Sequence, residues 1–199
     1  MSRKDLILNE ILEVKNFLNK FLRHPMTEIK SVPDWHWYRL IGLHATLAAI
    51  CGALTGLVEK KISFSIIAGL ILTPILTMIT LGVATLFFYY CFQIFVQKTV
   101  SVRKLATVIV LANIPQMILQ VVSGYVPPIT LVGMAFTALL LLVGFVENFQ
   151  IDRKMAMRLI GGLYAIFIAL WLWNQASSAR FEKSWNSDRM EAPEVHLGE

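Results

Sequence analysis

Residues 64–96 read FSIIAGLILTPILTMITLGVATLFFYYCFQIFV, a stretch with no charged side chain from end to end. An apolar run longer than about 18 residues is a membrane-span candidate, because lipid offers backbone groups no partner outside their own helix. This run is too long for one straight crossing. At about 1.5 Å per residue it would reach roughly 50 Å, against a hydrocarbon core of about 30 Å. The excess must go into tilt, an interfacial extension or a break. Thr73–Pro74 is the expected kink, since proline lacks the N–H donor and crowds the preceding turn.

Working outward, Lys60–Lys61 separates this run from a first span expected over about Tyr38–Val58. Trp35, His36, Trp37 and Tyr38 precede that span as an aromatic cluster suited to headgroup level. A third span is expected over about Leu105–Val122, with Pro115 inside it. Val126–Pro127–Pro128 then opens a fourth over about Ile129–Val146. After the polar stretch Asn148–Arg158, a fifth runs over about Leu159–Trp173, extended by Ala156 and Met157. The sequence is 56% apolar and 16% charged, where soluble domains have about a quarter of their residues charged. The fold class is an all-α membrane protein with five transmembrane helices plus an N-terminal cytoplasmic amphipathic helix. Residues 1–30 form that helix and a linker, 31–175 the five-span domain, and 176–199 a polar flexible tail carrying Pro193.

The amphipathic reading rests on Ile7, Ile11, Val14, Leu18 and Phe21, which recur at steps of four and three, the period of one helical face. Leu8, Leu12 and Leu22 widen the stripe, and Lys4, Glu10, Lys15 and Lys20 cover the other side. Ser2 with Asp5 resembles a capping box, and Pro25 closes the segment. Such a helix either rests in the lipid interface or docks on this protein or a partner. Met1–Leu22 lacks a continuous apolar core, so no cleavable signal peptide is expected. Orientation follows from Lys and Arg. Counting Arg39 at the mouth of the first span, thirteen lie on the amino-terminal side and five on the other. That bias puts the amino terminus in the cytoplasm and the carboxyl terminus outside.

Polar residues inside the spans are the candidates for function. Thr73, Thr77 and Thr80 share one face of the second span, and Asn113, Gln116, Gln120 and Ser123 recur at similar steps in the third. Amides in lipid would be left unpaired, so these stripes should face the bundle interior. They serve as interhelical glue, at about 0.6 kcal/mol per bond, or line a cavity for a headgroup or small solute. Asn113-Ile114-Pro115 reads as a static kink or as a hinge. Glu147, ending the fourth span, is an ionisable candidate or an ordinary interfacial carboxylate, and His44 reads as a neutral histidine bonded within the bundle. Ala48, Gly52 and Gly56, and Gly161 and Ala165 with Ala169, repeat the small-residue spacing of close helix packing, within the chain or across a homo-oligomer.

Reaction chemistry finds no support in the sequence. It holds no HExxH, GxSxG, phosphate loop or paired intramembrane carboxylates, and Ser101 and Ser123 have no evident base. Cys51 and Cys91 have no metal or redox spacing and read as buried apolar thiols. No enzyme activity, cofactor or metal is expected. The basic residues flank spans instead of forming a patch, which argues against nucleic acid.

Arg23-His24-Pro25 at the end of the amino-terminal segment, five closely spaced spans, the basic 98–104 loop and Asn113-Ile114-Pro115-Gln116 early in the third span form a recognisable layout. Over about Phe21–Asn174 it resembles the bacterial branch of the Yip-domain family, whose eukaryotic members are known as Ypt/Rab-interacting membrane proteins. The resemblance implies a bacterial inner-membrane protein and carries over no catalytic residues. Two functions are expected: a non-enzymatic scaffold that organises the bilayer or recruits a protein partner through its amino-terminal helix, or a transporter or lipid-handling protein using the polar faces of spans two and three.

Overall fold

The computed structural model describes residues 3–58, 62–123, 125–126 and 128–190. The Ser2 cap, the Lys60–Lys61 turn, Pro127, Pro193 and the side chains of Ile7 and Ile11 lie outside what is described. Helix α1 (Arg3–Arg23) is followed by the single turn α2 (Pro25–Glu28) and an extended approach to α3 (Trp37–Val58). Next come α4 (Ile62–Cys91), a π-helical turn (Phe92–Val96), α5 (Val102–Gln120), α6 (Ile129–Phe149) and α7 (Arg153–Met190). Among the described residues there is no strand. Five helices are long and apolar enough to cross a membrane, over Trp37–Leu57, Gly69–Val96, Val102–Gln120, Ile129–Phe149 and Arg153–Asn174.

The bundle is organised around α5. Leu105 through Ala112 are all buried, whichever way their side chains point. A helix enclosed around its whole circumference is the centre of its bundle. Ser101 starts it, its hydroxyl accepting from the Lys104 N–H at 3.5 Å. By contrast α4 and α7 are outer helices. Ile67, Ile79 and Val83 on one, and Ile166, Leu170 and Trp173 on the other, are exposed, an arrangement that only lipid makes tolerable.

Glycine sets the closest approaches. A Cβ added to Gly52 of α3 would lie 2.3 Å from the Gly69 carbonyl oxygen of α4 and 2.8 Å from Thr73 Cβ. The two backbones therefore touch, and α3 and α4 form the most intimate helix pair. On α6, a Cβ at Gly144 would lie 2.6 Å from Val108 and 3.2 Å from Ile29. Phe145 of α6 lies 4.9 Å from Phe88 and 5.0 Å from Phe92, ring centre to ring centre, stitching α6 to the end of α4 in edge-to-face contacts.

The long apolar run is helical across Pro74, since a spanning helix tolerates one lost donor. Its α-helical geometry gives way at Phe92, where a π turn begins, closed by Gln97 in the left-handed conformation (φ 53°). A second left-handed glutamine, Gln150 (φ 51°), ends α6, and its carbonyl accepts from Lys98 Nζ at 2.7 Å. Asp152 Oδ2 then accepts from the Lys154 and Met155 N–H groups, so α7 starts at Arg153, three residues ahead of the expected extension at Ala156. At its other end α7 runs through Met190 and so takes in residues 176–190 of the expected tail, the rest of which lies outside the described residues.

Candidate functional site

The most elaborately built part of the molecule is where its amino-terminal segment lies across the span ends. Phe21, on the apolar stripe of α1, is wholly buried, and Val14, Phe17 and Leu18 pack against the core beside it. Phe17 meets Trp35 edge-on at 5.2 Å, and Trp35 is 2% exposed. Of the two uses open to an amphipathic helix, docking on its own chain is the one seen for this half of the stripe.

Polar ties then fix the segment to three different spans. Arg39, in the first turn of α3, reaches Glu10 at 2.7 Å and Glu13 at 3.2 Å, and the Tyr38 hydroxyl donates to Glu10 at 2.8 Å. Those hydrogen bonds, from Arg39 first and Tyr38 second, hold the Glu10 carboxyl below the usual range. Asp34 receives a bidentate fork from Arg103 of α5, with Nε at 2.7 Å, which depresses its pKa in the same way.

The third tie is neutral. Asn148, near the end of α6, accepts from the Val32 N–H at 3.2 Å and donates to the Ile29 carbonyl at 2.8 Å and to Gly144 at 3.0 Å. Ile29 and Val32 are buried, so water has little access to repair these bonds. Glycine at 144 is what makes room for the Ile29 side chain.

The residues singled out from the sequence divide clearly. Ala48, Gly52 and Gly56 are buried on α3, with Gly69 as the unforeseen other half of the Gly52 crossing. Gly161 and Ala165 are exposed on α7, and a Cβ on Gly161 would meet nothing within 4 Å. One residue of each polar stripe sits at a glycine crossing with a different helix. Half-buried Thr73 meets Gly52 of α3, whereas the Gln116 backbone lies against Gly133 of α6. The Thr77 hydroxyl donates to Pro74 O and that of exposed Thr80 to Leu76 O, both in their own helix. Asn113 is half-buried, Gln120 exposed, and Glu147 exposed beside the working Asn148. His44 is 1% exposed and faces the Thr77 backbone of α4, although neither ring nitrogen makes a hydrogen bond of good geometry among the described residues. Cys51 is half-buried and Cys91 buried, both free. Among the described residues no three His, Cys, Asp or Glu side chains group as metal ligands.

The Yip1 domain family matches residues 20–174, most of the chain, from the docked end of α1 through all five spans. The chain belongs to that family, over nearly the stretch on which its layout resembles one. No curated protein and no solved structure matches it.

Proposed function

We propose that this Yip1-domain membrane protein is a non-enzymatic scaffold, which holds its amino-terminal helix as a fixed recruiting platform on the cytoplasmic side of the bilayer. One observation carries the reading: the segment is tied at Arg39, Arg103 and Asn148 to three different spans. A helix meant only to float in the lipid interface needs no such ties. Docking also leaves apolar side chains facing outward, with Leu12, Leu22 and Met26 exposed. The excess of Lys and Arg on this face supports a cytoplasmic position. The transporter reading has less behind it, since two of the three threonines of the stripe, Thr77 and Thr80, spend their hydroxyls on their own helix.

A photocrosslinking side chain at position 12 or 22, in native membranes, tests the scaffold. Discrete protein adducts are expected, lost on charging the neighbouring exposed site (Leu22→Glu or Leu12→Glu) while the protein level stays normal. Adducts to lipid alone, or solute movement by purified protein in vesicles, overturn the reading. A reporter active only outside the cytoplasm should give signal at Glu199 and none in the 98–104 loop; the reverse pattern puts the platform on the wrong side.

A further inference from the structure

A groove of about 500 Å³ opens on the face that carries α1, between the end of the π-helical turn, the start of α5 and the end of α6. Its lining includes Lys98, Thr99, Ser101, Lys104 and Asn148, and no Asp or Glu. The carboxylates nearby are engaged elsewhere. Asp34 is taken up by Arg103, and Asp152 caps the first amides of α7. Lys104 has no ion pair among the described residues. Lys98 donates to the Gln150 carbonyl, which fixes its position and leaves two of its three donors free. Two cations thus share one groove with no carboxylate in its wall, Asp34 reaching Lys104 only through its field while Arg103 holds it.

Backbone geometry marks the same place. Gln97 and Gln150 are the positive-φ residues other than glycine in the described chain, and both line this groove. Helix ends ordinarily put glycine in that conformation, because a Cβ strains it. Here each strained position carries an amide, a group able to donate to an oxyanion. The groove also sits where three crossing segments begin or end, at Val96, Val102 and Phe149. That is the depth of lipid headgroups.

We propose that this groove binds a phosphate group, supplied by an anionic phospholipid of the adjoining leaflet. Lys98 and Lys104 provide the charge, and Ser101 with the two glutamine amides orients the oxygens. The groove shares Asn148 with the recruiting platform, but neither lysine bonds the amino-terminal segment, so the lysine variants test the groove apart from that role.

The test uses the full chain in nanodiscs of phosphatidylcholine with or without phosphatidylglycerol, reading retained lipid by native mass spectrometry. Preferential retention of phosphatidylglycerol is expected. At the usual worth of a cation near an anionic surface, Lys98→Gln or Lys104→Gln should lower it about fivefold and the double variant about thirtyfold. Lys154→Gln, the same charge change outside the groove, should leave it unchanged. Because Lys98 also holds Gln150, a misfolded Lys98→Gln leaves Lys104→Gln to decide. Inorganic phosphate displacing the lipid supports the shared site; phosphate raising Tm in phosphatidylcholine discs, with no lipid preference, assigns it to free phosphate. Equal retention of both lipids with no phosphate response, or equal loss in Lys154→Gln, overturns the proposal.

Discussion

Replacing Asn148 with Leu should release the amino-terminal segment without unfolding the spans. The substitution deletes one acceptor and both donors that the side chain supplies to Val32, Ile29 and Gly144. The Gly144 carbonyl lies within α6, so its helical bonding survives the change. The Val32 N–H and Ile29 C=O are the groups left stranded, in residues 7% and 0% exposed. A buried polar group without a partner costs about 1–3 kcal/mol, and partial water entry puts the pair at roughly 2–3 kcal/mol. The change is local, so it should appear as faster opening of the strap. Hydrogen exchange of the amides in 29–36 should accelerate about thirty- to hundredfold, at 1.4 kcal/mol per tenfold, with α5 unaffected. Asn148→Asp keeps the acceptor but turns a carboxylate toward the Ile29 carbonyl, and should be at least as damaging. Unchanged exchange in both variants, in protein that still folds, would refute the assignment of Asn148 as the tie.

Acid should undock the same segment. Glu10 and Asp34 have folded pKa values below their unfolded ones, so their contribution is complete above the usual carboxylate range and is lost as pH falls through the folded values. The distance between labels at Lys20→Cys and Lys154→Cys should stay constant from about pH 8 to 6 and lengthen only below about pH 4; a transition near neutrality contradicts the assignment. Gly52→Val should destabilise the α3–α4 pair by about 3 kcal/mol, the upper end of overpacking, because what blocks it is backbone 2.3 Å away. Gly161→Val, with open space around it, should stay within about 0.5 kcal/mol, and equal denaturation midpoints for the two variants count against the crossing. Thr80→Val should be silent in stability, within about 0.5 kcal/mol, because the hydroxyl serves only Leu76 O; a lost transport activity in that variant revives the polar-face reading.

Most of the span layout was legible in the sequence, because hydropathy responds to lipid alone and needs no partner. What depends on a partner was half legible. The small-residue spacing picks out Gly52, while Gly69, which meets it from another helix, hides in the run Ser65–Gly69–Thr73–Thr77, where the threonines draw the eye as a polar stripe. The stripe through Phe21 predicts an apolar face, yet periodicity says nothing of what covers it. Glu147 draws attention by its charge, while Asn148 does the binding through backbone groups 116 and 119 positions away. Backbone groups leave no mark in a one-letter string, so that pairing had no signal to find. Thr77 and Thr80 have the spacing of a shared face, and periodicity does not show that a threonine in a helix can satisfy its hydroxyl from the preceding turn, as both do here.

The three ties of the amino-terminal segment have a mechanical consequence. They attach at Glu10 and Glu13, then at Ile29 and Val32, then at Asp34, so a pull applied at the start of α1 loads them one after another along the chain. Rupture under tension is then stepwise, the Arg39 ion pairs opening first, and each step frees more of the segment while the spans stay packed.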